Sequence, residues 1–285
     1  MERLIEYFST MPSSHRTVLL VGGITFFWML EGLFPLFRFS YIKWKHAATN
    51  IFFTITTAIV NLSLAFVMVW TSDWVTNHQF GIMSWLDFLP TPIVILIGLL
   101  FMDLIGAYGI HYLNHKVKWF WLFHLIHHTD TNVDTTTANR HHPGESFLRL
   151  FATILAVFVV GAPIYMIFLY QSLSVIFSQF NHANIILPAK LNAIVACFFV
   201  TPNMHHVHHH FQQPLTDTNY GNIFSVWDHV FGTYANVDNK MLTYGIDTHM
   251  SPQENEPIKN LLQIPFQEYR DIKKIEEEKV DNRSY

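Results

Sequence analysis

The stretch that decides the fold runs from His111 to His128 and reads HYLNHKVKWFWLFHLIHH. It holds five of the 18 histidines of a 285-residue chain, where the average density would place only about one. His111 and His115 stand four residues apart, and His124, His127 and His128 follow an i, i+3, i+4 pattern. Residues at these spacings lie on one face of an α-helix. The pattern therefore predicts two helices that each present a row of imidazoles.

A second histidine-rich stretch, TPNMHHVHHH, occupies residues 201–210. It repeats the HxxHH spacing of the first stretch, but the five histidines fit that spacing in two registers. Both registers place three imidazoles on one helical face, so spacing alone does not choose between them. The two alternatives are His205/His208/His209 and His206/His209/His210.

These motifs together offer eight ordered histidines, which indicates a metal centre. Neutral imidazole suits zinc, copper, iron and nickel, and the single cysteine, Cys197, rules out cysteine-ligated zinc sites and iron–sulfur clusters. A mononuclear zinc site takes about four ligands. Eight imidazoles therefore predict two metal ions.

The composition predicts an all-α integral membrane protein. Hydrophobic residues make up 51% of the chain and charged residues only 13%, about half of the roughly 25% that soluble domains carry. This balance argues against disorder, a disulfide scaffold and a nucleic-acid partner. A spanning helix needs about 20 mostly apolar residues. We expect about four transmembrane helices, drawn from Thr17–Phe37, Ala48–Trp70, Phe88–Ile110 and Phe147–Leu187. The last of these segments is long enough to cross the membrane twice.

The charged residues of the loops predict an orientation. Residues 71–87 contain no Lys or Arg, whereas Lys116, Lys118 and Arg140 follow the third apolar segment. Because cytoplasmic loops carry an excess of these cations, the 71–87 loop is expected outside, together with the N-terminus. The histidine-rich regions would then form a helical cap on the cytoplasmic side.

The histidine motifs resemble those of the fatty acid hydroxylase/sterol desaturase superfamily of membrane-bound, non-haem di-iron oxygenases. The three boxes are HYLNH, HLIHH and TPNMHHVHHH, and the Thr201-Pro202 dipeptide before the third box favours the register that begins at His205. The resemblance covers roughly residues 95–235. Its further motifs are RHHPGE at 140–145, NHAN at 181–184, NYG at 219–221, WD at 227–228 and FGTY at 231–234.

The resemblance implies two iron ions, with O2 as co-substrate. It leaves open whether His142, of the HPGE segment, or His206 and His210 also bind metal. The isolated histidines are expected to be structural or exposed, namely His15, His46, His78, His229 and His249. The expected metal ligands are His111, His115, His124, His127, His128, His182, His205, His208 and His209.

A centre ligated only by imidazoles is strongly cationic, so we expect carboxylates to orient the rings and offset the charge. Asp103 is the strongest candidate, because a carboxylate inside an apolar span is costly unless it is functional or paired. Glu145 and Asp228 belong to the motifs named above. The other candidates are Asp130, Asp134 and Asp217.

The resemblance implies a membrane-bound oxidoreductase of the monooxygenase type that hydroxylates or desaturates a lipid C–H bond. The chain has no GxGxxG motif, cysteine cluster or haem domain, so electrons must come from a separate ferredoxin or cytochrome with its reductase. The lipid, whether sterol, fatty acyl or related, would enter from the bilayer. Two alternatives stay open: ether-lipid cleavage like that of alkylglycerol monooxygenase, and a metal-handling membrane protein. A transporter would be expected to place its ligands near the bilayer midplane, whereas these histidines cluster at helix ends.

We therefore divide the chain into three parts. Residues 1–87 form N-terminal transmembrane helices, 88–235 the catalytic domain, and 236–285 a polar tail that ends in a short exposed helix.

Overall fold

The computed structural model describes residues 1–270, and the helix expected at the end of the tail falls outside them. Within 1–270 the chain is helical, and its β-type pairing consists of three isolated bridges. The all-α prediction is confirmed. The α-helices are α1 Glu2–Ser9, α2 Ser13–Leu33, α3 Lys43–Ser63, α4 Ala65–Asn77, α5 Ile82–Trp85, α6 Thr91–Asp103, α7 Ile110–Lys116, α8 Lys118–His128, α9 Pro143–Val160, α10 Ile164–His182, α11 Ala189–Ala196, α12 Pro202–His208, α13 Val226–Val230, α14 Pro252–Asn255 and α15 Ile258–Gln263.

Three helices among the described residues are long and apolar enough to cross a membrane: Ser13–Leu33, Thr91–Lys116 and Pro143–Val160. The pair Lys43–Ser63 and Ala65–Trp85, bent by 46°, adds a fourth if it forms one broken span. The expected count of about four therefore stays a prediction. The second half of the 147–187 segment forms α10, which is not among these candidate spans.

The turn between α9 and α10 lies against the predicted 71–87 loop, which in the structure comprises the last turns of α4, the short helix α5 and the turns beside it. Gly161 ends α9 with a φ of +70°, and a Cβ there would lie 2.1 Å from the Phe80 carbonyl oxygen, so glycine permits both the turn and the close approach. Ser72 Oγ donates to the Ala162 carbonyl at 2.9 Å. The opposite ends of α9 and α10 carry His142 and His182. The 71–87 loop thus lies at the other end of these helices from the histidines, and the side that faces the cytoplasm stays a prediction.

Residues 236–270, which the sequence assigns to a polar tail, pack against the helices that carry the histidines. Leu261 and Ile264 join Phe53, Leu125 and Ile126 in one buried apolar cluster. The tail composition is polar because only one face of its short helices is buried. These residues are thus part of the folded cap.

Arg140 ties the tail to the cap and to α3. Its buried guanidinium donates hydrogen bonds to Ile126 O at 3.0 Å, Asn50 Oδ1 at 3.0 Å, Thr129 Oγ1 at 3.2 Å and Asn255 O at 2.7 Å. A buried cation is tolerated only when its donors are satisfied, and here four acceptors from three segments satisfy them. The side chain therefore stabilises the junction of three parts of the chain.

Replacing Arg140 with Met is expected to lower the free energy of unfolding by about 3 kcal/mol, because it leaves buried acceptors without donors. Thermal unfolding of the purified protein in detergent, followed by tryptophan fluorescence, measures the change. The matched control is Lys45→Met, which removes an exposed 2.7 Å ion pair with Glu256 and should cost less than about 1 kcal/mol. Equal melting temperatures for the two variants would contradict the assignment.

Candidate metal centre

Nine histidines converge in two neighbouring groups, which we call site A and site B. Within each group the ring nitrogens that face one another all lie within 4.8 Å. The nine are those expected from the sequence to bind metal. Site A consists of His111, His115, His124, His128 and His208, and site B of His127, His182, His205 and His209.

Each HxxHH motif serves both sites. On α8, His124 and His128 face site A, whereas His127 faces site B. Consecutive residues of an α-helix point about 100° apart, so an HH pair can supply one ring to each of two adjacent sites. The sites share a wall, since the rings of His128 and His209 stack with centroids 4.9 Å apart. The motif at α12 divides the other way. His208 faces site A, whereas His205 and His209 face site B.

Hydrogen bonds to backbone carbonyls fix two rings of site A. His111 Nδ1 donates to Tyr220 O at 2.8 Å, and His208 Nδ1 donates to Thr218 O at 2.7 Å. A carbonyl oxygen only accepts, so Nδ1 carries the proton and the Nε2 of the neutral ring keeps its lone pair. Both Nε2 atoms are buried without a hydrogen-bond partner.

Carboxylates fix two more rings of site A in the same way. His124 Nδ1 donates to Glu145 Oε1 at 2.8 Å, and His115 Nδ1 donates to Asp217 Oδ1 at 3.2 Å. Their Nε2 atoms are likewise buried and unpartnered. Metal-ligating histidines almost always donate their other ring N–H to a carboxylate or carbonyl. Four rings of site A therefore have the protonation and orientation that a cation requires.

The rings of site B also converge through Nε2. His182 Nδ1 donates to Ser178 O at 2.7 Å, which leaves a lone pair on its Nε2. The Nε2 atoms of His127 and His205 lie 3.1 Å and 3.0 Å from that nitrogen. In His128 and His209, which form the shared wall, both ring nitrogens are buried without a partner. A metal ion in each site would bind one nitrogen of each ring, so the residues present fit a two-metal centre.

Burial keeps the cap histidines neutral. Burial contributes most to lowering their pKa values well below 6.5, and neighbouring imidazoles lower these values further. The histidines concerned are His127, His128, His205, His208 and His209. A neutral imidazole is the form that binds a metal. The surroundings therefore favour the ligating form.

Glu145 and Asp217 are the two candidate carboxylates that touch the sites directly. Besides His124, Glu145 Oε1 lies 3.0 Å from Nδ1 of His141. Asp217 also accepts from Lys116 Nζ at 2.7 Å. Both carboxylates are therefore placed to orient a ring and to offset cationic charge.

Asp103 and Asp228 support the sites through the backbone. Asp228 accepts from the backbone N–H groups of Tyr220 at 2.8 Å and Gly221 at 2.9 Å, and Tyr220 O accepts from His111. Asp103 accepts from the N–H groups of Ile223 at 3.3 Å and Phe224 at 3.2 Å. It contacts none of the nine histidines, so its role is to hold the chain that follows Tyr220.

Asp130 and Asp134 lie in a different network, around His46. The His46 ring lies 2.8 Å from Asp130 through Nε2 and 3.3 Å from Asp134 through Nδ1. These two aspartates pair with His46 and thereby join α3 to the cap. His46 is thus structural, as expected for an isolated histidine.

His141 is a further residue beside the sites that the histidine spacing does not predict: its ring stacks on His127 with centroids 4.8 Å apart and faces Glu145. Its only signal in the sequence is its place next to His142 in the RHHPGE segment. His142 caps α9, its Nδ1 accepting from the Gly144 N–H at 3.0 Å, and lies outside both sites.

The two histidines of the third box that fall outside the His205 register also lie elsewhere. His206 Nδ1 is hydrogen-bonded to the Tyr244 hydroxyl, and His210 Nδ1 accepts from the Thr243 N–H at 3.2 Å. Both partners come from residues 236–270. The geometry therefore brings His205, His208 and His209 to the sites and turns the other two toward the end of the described chain.

Three curated proteins are similar to about half of the chain. Ornithine lipid hydroxylase OlsE of Rhizobium tropici is 24% identical over 152 residues, 53% of this chain and 45% of that protein. Alkylglycerol monooxygenase of Homo sapiens is 29% identical over 150 residues, 50% of this chain and 31% of the relative. Cholesterol 25-hydroxylase-like protein 1, member 2 of Danio rerio is 28% identical over 128 residues, 44% of this chain and 45% of the relative. The chain therefore spans less than half the length of each relative.

The sequence model of the fatty acid hydroxylase family matches residues 95–233, a range that contains all nine histidines of sites A and B. No solved structure matches the chain. The family match and the converging imidazoles thus fall on the same residues. Through this region the chain is similar to the fatty acid hydroxylase family.

Proposed function

We propose that the chain is a di-iron, O2-dependent oxidoreductase that hydroxylates or desaturates a C–H bond of a lipid. The observation that carries the proposal is the pair of adjacent sites in which buried, unpartnered ring nitrogens converge. The nine histidines would hold two iron ions, which supply dioxygen activation when bound. Electrons would come from a separate ferredoxin or cytochrome with its reductase.

The residues of the chain have defined tasks in this proposal. Glu145 and Asp217 hold Nδ1 protons on His124 and His115, so that Nε2 stays free, and they offset the charge of the centre. Asp228 positions the Tyr220 carbonyl that orients His111. Burial excludes water from the rings and thereby protects reactive species from side reactions.

The relatives support a lipid as substrate. The names of two of them specify an ornithine lipid and an alkylglycerol. The similarity to alkylglycerol monooxygenase keeps ether-lipid cleavage as the second candidate, and both outcomes would use the same centre. A metal-handling role is disfavoured by position, because His111 and His115 lie in the last turns of the 26-residue apolar run Thr91–Lys116 rather than near its middle.

We place the sites on the cytoplasmic side of the membrane. Lys43, Lys116 and Arg140 lie at the end of the bundle that holds the histidines, and the 71–87 loop at the other end has no Lys or Arg. This asymmetry follows the positive-inside bias. It also makes the sites accessible to a cytoplasmic electron donor.

Anaerobically purified protein is expected to contain about two iron ions per chain, since a centre of this kind divides its ligands between two sites. His128→Ala, which removes a ring from the shared wall, should lose at least one ion, and metal analysis by mass spectrometry measures the ratio. His78→Ala is the matched control, because His78 is exposed at the end of α4 and bonds only locally. A content of one zinc ion per chain that is the same in the wild type and in His128→Ala would contradict the di-iron assignment.

Asp217→Ala should weaken metal binding at site A by about 10- to 100-fold, because His115 loses the acceptor that orients its ring. Titration with a chelator should then remove one of the two ions at lower chelator concentration and leave the ion of site B unchanged. Asp73→Ala, an exposed aspartate on α4, serves as control. Equal loss from both sites would indicate general unfolding instead of a positioning role for Asp217.

Cells that express the chain under 18O2 should accumulate a lipid that cells expressing His127→Ala lack. A gain of one labelled oxygen would indicate hydroxylation, and a loss of two hydrogens would indicate desaturation. A lipid cleaved at its ether bond would indicate ether-lipid oxidation. Untargeted lipid mass spectrometry distinguishes the three. The enzymatic proposal fails if no lipid differs between the two strains while both proteins are present at equal levels.

A further inference from the structure

Helix α11, Ala189–Ala196, lies in the stretch of chain that joins two rings of site B, and none of its residues is buried. Residues 189–200 read AKLNAIVACFFV, with Lys190 as their one charged residue. An apolar run of roughly 10–14 residues usually forms a buried core helix or a re-entrant or interfacial segment. Ile194 and Phe198 are 66% and 67% exposed, so this run is not a core helix and needs another apolar cover.

The C-terminal end of the run lies at the depth of the middle of a membrane span. Phe199 forms an isolated antiparallel bridge with Phe224, and the Phe224 N–H donates to Asp103 Oδ2 at 3.2 Å. Asp103 follows Thr91 by 12 residues and precedes Lys116 by 13 in the apolar helical run that these two residues bound. At 1.5 Å per residue it lies about 18–20 Å from either end. The hydrocarbon core of a bilayer is about 30 Å thick, so Phe199 lies within it.

The backbone at this depth is hydrogen-bonded within the protein. Val200 N donates to Ile223 O at 3.0 Å, and Ser225 N donates to Phe198 O at 3.2 Å. Ser225 Oγ donates to Ala196 O at 2.8 Å, at the end of α11. The last carbonyls of a helix have no partner within it, and lipid supplies none. Irregular backbone is tolerated at membrane depth only where the protein satisfies it, which is the arrangement seen here.

We propose that residues 189–199 form a re-entrant segment whose outer face is covered by acyl chains of the leaflet on the side of the sites. The exposed surface of the segment continues that of α2, a candidate span in which only two of 21 residues are buried. Leu30 and Phe34 of the α2 end line one groove with Ala193 of α11, so the two surfaces adjoin. Lys190 stands at the start of α11, from which its long side chain can reach the head groups. The inference concerns lipid contact alone and does not rest on the proposed chemistry.

Cys197 makes the depth measurable, because it is the single cysteine of the chain and lies exposed directly after α11. The purified full chain, carrying a nitroxide on Cys197, is placed in nanodiscs of phosphatidylcholine and phosphatidylglycerol. Electron paramagnetic resonance power saturation then compares collisions with O2, which concentrates among acyl chains, and with a water-soluble nickel chelate. Two reference labels are placed in a Cys197→Ser background: Gln213→Cys on an exposed loop of the cap, and Val21→Cys on the exposed face of α2.

We expect the Cys197 label to collide with nickel at least about tenfold less often than the Gln213→Cys label, because a polar complex is excluded from hydrocarbon. Its O2 accessibility should match that of the Val21→Cys label. A label on Lys190→Cys, in the same background, should give an intermediate nickel accessibility, since α11 runs from the head groups toward Phe199.

Nickel accessibility at Cys197 equal to that at Gln213→Cys would overturn the proposal, because the segment would then lie in water. A Cys197 label shielded from both O2 and nickel would also overturn it, in favour of a protein cover such as a second copy of the chain. If the label on Cys197 lowers the melting temperature, Phe198→Cys in the Cys197→Ser background takes its place, with the same nickel ratio expected. The measurement uses no iron, so a water-exposed segment would leave the proposed function standing, and a protein without iron would leave this inference standing.

Discussion

The structure depends on hydrogen bonds that hold five of the nine imidazoles by Nδ1 and leave Nε2 to face the sites. Carbonyl and carboxylate oxygens accept from Nδ1 of His111, His115, His124 and His208, so that four Nε2 lone pairs converge in site A. Burying such lone pairs side by side is unfavourable unless a cation binds them. The same arrangement that costs stability in the protein alone therefore favours metal binding.

The first histidine box directly follows a distortion of its helix. Residues 104–109, between α6 and α7, form π-helical turns, and their register determines where His111 points. Gly109 permits the wide turn, since a Cβ there would lie 2.9 Å from the Leu104 carbonyl oxygen. Because π-turns are rare and often lie at functional sites, the local distortion is consistent with a task of positioning the first histidine box.

The sequence predicts much of this arrangement, because helical spacing is periodic and local. The i, i+3, i+4 pattern suffices to bring His124, His127 and His128 to one side of α8, but not to show that His127 faces site B while the other two face site A. The long apolar runs suffice for an all-α fold. Contacts between distant segments are not periodic. The spacing could therefore not show that His141 stacks on His127, nor that Asp103 bonds to the backbone after Tyr220.

Residues 236–270 help to hold the helices that carry the histidines. Helix α12 has seven residues, too few to be stable alone, since isolated helices shorter than about 12 residues are marginal in water. Its N-terminus is capped by Thr201, and Asn219 donates to Met204 O at 2.8 Å. Tyr244 then bonds to His206, the neighbour of His205. Residues 236–270 therefore help to fix α12 and its C-cap residue, which supply His205, His208 and His209.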